Sequence, residues 1–275
     1  MKIKKNLAHG FIYIILIILL IICILPFYVM IINSTHSTNE LYVGLQILPG
    51  KDLLNNLSNM AESVDMVRGF LNSFIIAGSS TLLAAYFGTM TAYGIFEYRF
   101  RVRKVVYSMI MVSMMVPTQL SIIGLFRLSR NLGLLDTYWP IILPSIANAG
   151  TIFFVLQYLE TTMDEELLDS ARIDGCGEIS IFHRFILPLA KPGIATMAIF
   201  NFVSYWNNFF TPMILLFSDD KFTVPLLINN LNKGMLQDLG AKYAAIAISI
   251  VPIIIVYCFF SKYITKGMMA GAVKG

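Results

Sequence analysis

Taking Asp, Glu, Lys and Arg as breakpoints leaves six uncharged stretches longer than 18 residues: 6–39, 69–96, 105–126, 137–159, 192–218 and 243–261. A helix needs about 20 apolar residues to cross the hydrocarbon core of a bilayer. A helix also satisfies its own backbone hydrogen bonds there, where water cannot. The pattern predicts an all-α integral membrane protein with six transmembrane helices, near 11–32, 70–95, 105–126, 138–159, 192–216 and 243–263. Composition agrees: 57% of the chain is hydrophobic and 13% is charged, against roughly 25% charged in soluble domains.

Lys2, Lys4 and Lys5 ahead of an apolar run also fit a signal peptide. The run is longer than an h-region of about 7–15 residues. It ends in Met30-Ile31-Ile32-Asn33, without a small-x-small cleavage site. An uncleaved first helix is therefore expected. Six spans put both termini on one side. That side carries 13 of the Lys and Arg residues and the other carries 7, with Arg99, Arg101, Arg103 and Lys104 clustered on the first. The positive-inside rule makes it the cytoplasmic side. The net charge of +4 thus reports topology and gives no sign of nucleic-acid binding. Cys23, Cys176 and Cys258 form no CxxC, and His9, His36 and His183 are scattered. Neither a disulfide framework nor a metal site is expected.

Ala84, Gly88 and Ala92 recur at four-residue spacing, which lets helix backbones approach closely in lipid. Pro117 and Pro252 fall mid-helix and favour kinks. Such kinks serve moving helices or simply a bent shape. With no linker in view, residues 1–275 read as one membrane domain.

Loop 160–191 stands apart from the other connections because it is long and mixes charge with apolar residues. Asp164 to Ile173 begins with acidic residues, which suit a helix N-terminus. Leu167, Leu168 and Ala171 share one face, and Gly175 suits the helix end. A second short helix is expected to carry Ile179, Phe182, Phe185 and Ile186 on one face, with Pro188 and Pro192 leading into the fifth membrane helix. The result is a helix-turn-helix on the cytoplasmic surface. It could rest on lipid headgroups. Interfacial helices usually carry Lys and Arg on the polar face, whereas Asp164, Glu165, Glu166, Asp169 and Asp174 dominate here. A protein partner fits that charge better.

The loop resembles the EAA loop of binding-protein-dependent ABC importer permeases, whose pattern is E-A-A-x-x-D-G-A, a spacer, then I-x-L-P. This chain reads Asp169-Ser170-Ala171-Arg172-Ile173-Asp174-Gly175-Cys176 and continues to Phe185-Ile186-Leu187-Pro188. Phe70-Leu71-Asn72-Ser73, Tyr98-Arg99-Phe100-Arg101, Leu132 to Tyr138, Ser204 to Phe209 and the tail Lys266 to Gly275 are similar to segments of the carbohydrate subfamily, the maltose-type second permease subunits. The resemblance implies a type I ABC importer permease fold with a core at 70–264, a coupling loop at 160–191 and a cytoplasmic tail at 265–275. It implies a multi-pass protein of the bacterial cytoplasmic membrane, half of the path for a di- or oligosaccharide. Its partners would be a second permease in a heterodimer, two cytoplasmic ABC ATPases, an extracytoplasmic sugar-binding protein and membrane lipid.

The resemblance assigns the ATPase contact to Asp169, Ser170, Ala171, Asp174, Gly175, Ile186, Leu187 and Pro188. Asp169 stands where the family has Glu, one methylene longer, and Ser170 stands for the first Ala. ATP and Mg would be bound by the partner ATPases, and this chain would bind no cofactor. The residues agree that energy comes from elsewhere: the chain has no G-x-x-x-x-G-K-[ST] phosphate loop and no charge inside a helix core for a proton relay. Candidates along the path are Asn72, Gln119, Asn148, Tyr205, Trp206, Asn207 and Asn208, since sugars are held by hydrogen bonds and aromatic stacking. The same residues could equally bond helix to helix. An ABC permease for a non-sugar solute is the nearer alternative. A membrane transferase is the more distant one, because it would need acids, bases or metal ligands gathered at one boundary, and none gather here.

Overall fold

The computed structural model describes residues 2–163, 165–231 and 238–272. Helices account for all the regular structure among them. In chain order they are α1 (Lys2–Asn33), α2 (Thr38–Val43), α3 (Leu53–Ser63), α4 (Met66–Glu97), α5 (Arg103–Met115), α6 (Thr118–Asn131), α7 (Trp139–Ile142) and α8 (Ala149–Thr162). Then follow α9 (Glu165–Ile173), α10 (Glu178–Ile181), α11 (Leu187–Leu189), α12 (Lys191–Trp206), α13 (Phe210–Leu215), α14 (Val224–Asn230), α15 (Leu239–Ser249) and α16 (Val251–Ala272). Residues 265–272 of the expected tail continue α16, and 273–275 lie outside the described residues.

Four segments are long and apolar enough to cross a membrane: His9–Asn33, Met66–Glu97, Trp139–Thr162 and Leu239–Ser261. Two bent pairs qualify if each is one span, Arg103–Met115 with Gln119–Asn131 at 103° and Glu178–Leu189 with Lys191–Trp206 at 75°.

Four expected helices are interrupted; the one at 243–263 pauses only at Ile250, ahead of Pro252, and the other three break with a local cause. The helix expected at 105–126 stops at Met115, and Pro117, which has no N–H to continue the ladder, opens α6 in a new direction. The one expected at 138–159 begins as α7, tightens into a 3-10 turn at Leu143–Ala147, and restarts at α8. Asn148 caps that restart, its Oδ1 accepting from the Thr151 N–H at 2.8 Å. The one expected at 192–216 ends at Trp206. Asn208 then accepts from the Thr211 N–H at 3.2 Å, an alternative to the helical bond, and α13 follows.

The chain divides into two compact units. The smaller combines the chain up to Met66 with 227–251. In it, α1 is exposed along nearly all its length from His9 to Tyr28, while α15 packs on α1, α2 and α3. Asn56 is buried and donates to the Ser34 and His36 carbonyls at 2.8 and 2.9 Å. The His36 ring lies 2.8 Å from a Glu40 carboxylate oxygen through Nδ1 and 2.8 Å from the Leu48 carbonyl through Nε2. Both neighbours are acceptors, so both nitrogens donate only when the ring is an imidazolium. The bond to Leu48, then the one to Glu40, holds the His36 pKa above its ordinary value of 6.5, with burial opposing and Asp52 adding attraction. The Gly50 and Asp52 amides donate to the Thr35 hydroxyl and carbonyl at 2.7 and 2.8 Å, closing the same turn.

The larger unit holds 67–226 and the chain from Pro252 onward. Its core joins α4 to α8. Ala84 and Ala92 are fully buried, and a Cβ on Gly88 would lie 2.8 Å from the Thr151 methyl. The spaced small residues are thus a packing stripe, and the missing side chain of Gly88 makes room for Thr151.

Candidate functional site

The loop expected to couple begins as α9; Asp164, its expected first residue, lies outside the described residues. Leu168 and Ala171 face inward at 0% and 4% exposure, whereas Leu167 is 41% exposed. Gly175 ends the helix at φ +82°. Its N–H donates to the Arg172 carbonyl at 2.9 Å, and the Cys176 N–H donates to the Ala171 carbonyl at 3.0 Å. These are the paired bonds of a Schellman motif, whose left-handed residue favours glycine. A Cβ at Gly175 would meet nothing within 4 Å. Backbone conformation, rather than lack of room, requires glycine.

The second half departs from a regular helix. After α10, residues Phe182–Ile186 form a π turn, with the Leu187 N–H bonded to the Phe182 carbonyl. Its wider winding changes which residues share a face. Ile181, Phe182 and Ile186 are the buried residues, while Ile179, expected on that face, is 78% exposed and Phe185 only half-buried. The buried side joins Ala92, Phe96 and Leu159 in one apolar core. Asp169, Ser170, Asp174, Gly175 and Pro188 are exposed, Leu187 is half-buried, and Ala171 and Ile186 are buried.

One cation binds the loop to α4. Arg172 Nη1 donates to Glu97 Oε1 at 2.6 Å and to Asp169 Oδ1 at 3.1 Å. Its Nε donates to Glu178 Oε1 at 2.9 Å. Tyr93 donates to Glu178 Oε2 at 2.8 Å and stacks on Phe182 at 6.1 Å between centroids. Sequence reasoning passed over Glu97 and Glu178. The available sign was Glu97 itself, a charge set directly at the end of the uncharged stretch 69–96.

At the other end of α4 an anion has the central place. Asp136, at φ +57°, accepts from the Phe217 and Ser218 amides at 2.9 and 3.0 Å, from the Ser218 hydroxyl, and from Lys221 at 2.9 Å. The Ser218 hydroxyl bond, then Lys221 and the two amides, hold its carboxyl well below the usual range despite partial burial. Arg68 pairs with Asp220 at 3.1 Å. A cleft of about 720 Å³ opens here, with Arg68, Asp136, Asp220 and Lys221 among its lining and Ile75 and Leu82 on its apolar wall.

None of the seven path candidates lines that cleft. Asn72 is buried, donates to the Asp220 and Phe222 carbonyls at 3.0 Å, and accepts from Tyr138 at 2.8 Å. Asn148 accepts from the Thr151 hydroxyl at 2.9 Å and donates to the Tyr205 hydroxyl at 3.0 Å, while Asn201 donates to Thr151 at 2.8 Å. Trp206 is 2% exposed and stacks on Phe202 at 5.7 Å. Asn208 bonds Thr211, and Gln119 and Asn207 are exposed. Asn72 and Asn148 thus spend their hydrogen bonds on neighbouring elements.

The family model for the binding-protein-dependent transport system inner membrane component matches residues 84–270. The chain belongs to this family. The permease is 33% identical over 254 residues to the arabinooligosaccharides transport system permease protein AraQ of Bacillus subtilis (strain 168), covering 91% of this chain and 90% of that one. It is 31% identical to the diacetylchitobiose uptake system permease protein NgcG of Streptomyces coelicolor, covering 91% and 84%. A chain in the crystal structure of a bacterial ABC transporter involved in the import of the acidic polysaccharide alginate superposes with a TM-score of 0.79 at 24% identity, over 94% of this chain and 97% of that chain. The fold is that of an ABC importer permease. The protein is a membrane-embedded transport subunit and not an enzyme.

Proposed function

We propose that this permease forms half of the pathway of an ATP-driven oligosaccharide importer in the bacterial cytoplasmic membrane. It spans the bilayer six times, the two bent helix pairs each making one crossing, with both termini cytoplasmic as the Lys and Arg distribution favours. A second, different permease supplies the other half. Two ABC ATPases hydrolyse ATP with Mg beneath them, and an extracytoplasmic binding protein delivers the sugar.

One observation carries this reading. The loop 160–191 turns a buried apolar side into the helix ends and leaves Asp169, Ser170 and the Ile173–Gly175 corner exposed, with Ile173 at 87% and Ile179 at 78%. Bare isoleucines beside a rigid, glycine-ended turn suit a protein cleft, because apolar area removed from water contributes about 25 cal/mol per Å². The names of the two relatives above favour an oligosaccharide as cargo.

Deleting the permease and measuring uptake of mono-, di- and oligosaccharides tests the cargo. Loss of an oligosaccharide class is expected. Unchanged sugar uptake with loss of another solute overturns the sugar assignment. Gly175→Trp tests the docking: the ATPases should no longer co-purify. Retention of the ATPases with normal uptake overturns the docking role.

A further inference from the structure

We propose that Arg172 is a positioning residue that locks loop 160–191 to the Glu97 end of α4, so that a pull on the loop moves the membrane helix instead of bending the connection. The inference rests on the coupling role proposed for the loop.

Three separate segments meet at this guanidinium: α4 through Glu97, α9 through Arg172 and Asp169, and α10 through Glu178. The bonds to Glu97 and Glu178 cross between segments, and that to Asp169 stays within α9. A guanidinium fork fixes direction as well as distance, so the three segments share one orientation. The joint is also costly to open. The Glu97 side chain is 11% exposed and that of Arg172 29%. Breaking such a pair leaves a largely desolvated charge without compensation. Apolar contacts close around it: Tyr93 stacks on Phe182, and Leu168 and Ile181 are fully buried in the core that holds Ala92 and Phe96. The exposed corner at Asp174 and Gly175 follows directly on the last turn of α9, the turn that carries Arg172. Force enters the loop at that corner and leaves it through Arg172.

The test uses the complete transporter, with both permeases, the ATPases and the binding protein, in proteoliposomes. Glu97→Gln is the decisive variant, because Glu97 lies outside the loop and the substitution keeps its shape. The ATPases should co-purify in parental stoichiometry and ATP hydrolysis should continue. Uptake per ATP should fall roughly two- to thirtyfold, the range for residues that carry coupling. Arg172→Lys should restore little, since an ammonium cannot reproduce the fork. Glu97→Gln combined with Arg172→Met should be no worse than Arg172→Met alone, as expected for two parts of one joint. Parental uptake per ATP in Glu97→Gln overturns the proposal, and so does loss of the ATPases from it. If Arg172→Met fails to assemble, Glu97→Gln decides alone. Failure of the docking role would appear separately, as ATPases retained with normal uptake in Gly175→Trp.

Discussion

Clusters of opposite chemistry lie near the two ends of α4. At one end Asp136 is an anion among donors, two of them backbone amides of the 217–218 turn. At the other Arg172 is a cation among carboxylates on three side chains. Backbone donors have no rotamers and cannot leave without the turn unfolding. Side-chain acceptors can travel with the segments that carry them. The first arrangement suits a fixed corner, and the second suits bodies that move together. On this contrast, damage at Asp136 lowers stability and spares coupling, while damage at the Arg172 joint lowers coupling.

Asp136→Ala should have the largest effect on stability. Two amides lose their acceptor, at about 2–3 kcal/mol together, and alanine tolerates the positive φ poorly. The detergent-solubilised permease should melt several degrees lower, while uptake per ATP by the folded fraction stays parental. A coupling loss at unchanged Tm would break the comparison.

Asp136→Asn should cost about half as much, since it keeps one acceptor and the left-handed tolerance. It also carries a pH signature. The folded carboxyl is held below its ordinary range, so its contribution is full above that range and is lost as pH falls toward the depressed value. The acid limb of Tm against pH should therefore be shallower in Asp136→Asn. Equal limbs would mean that the carboxylate charge contributes nothing there.

Asp169→Glu sharpens the other side. Asp169 is 70% exposed and its bond to Arg172 stays within one helix. Restoring the family's residue should change Tm by under about 0.5 kcal/mol equivalent and uptake per ATP little. A large coupling change would move the joint's centre from Glu97 to Asp169.

His36 gives the smallest effect and a control in the other unit. Its raised pKa means that the contribution is complete below 6.5 and is lost as pH rises through the raised value. Glu40, whose carboxyl is held low first by His36, contributes above the ordinary carboxylate range and is lost as pH falls through its own depressed value. The clasp is therefore strongest between the ordinary carboxylate range and pH 6.5. Hydrogen exchange at the Gly50 and Asp52 amides, compared with a His36→Ala control, should accelerate above that window. No difference from the control would remove His36 from the clasp.

The charge-free stretches located the helices because burial in lipid is a property of composition over a long window. They did not show the breaks, which depend on single residues. Pro117 and the Asn207-Asn208 pair lie inside uncharged runs and interrupt them without adding charge. The loop was legible as a pattern, since its glycine and its buried Leu168 and Ala171 follow from local spacing. Arg172's partners were not legible. Glu97 approaches it only after α4, α8 and the loop have packed, and local spacing is blind to that distance along the chain. Asn72 illustrates the converse: a polar residue in a membrane helix looked available, and tertiary structure gives it three bonds.

The π turn at Phe182–Ile186 has a consequence for the lengths this segment tolerates. A π turn holds one residue more than an α turn, so it behaves as an insertion absorbed without a bulging loop. Excising one residue from within the turn would let α winding resume with Ile186 still on the buried side. A further residue added there would have no turn left to absorb it and would rotate everything beyond it by about 100°. Ile186 would then leave the core, so the interval between Gly175 and Pro188 should lose a residue more readily than gain one.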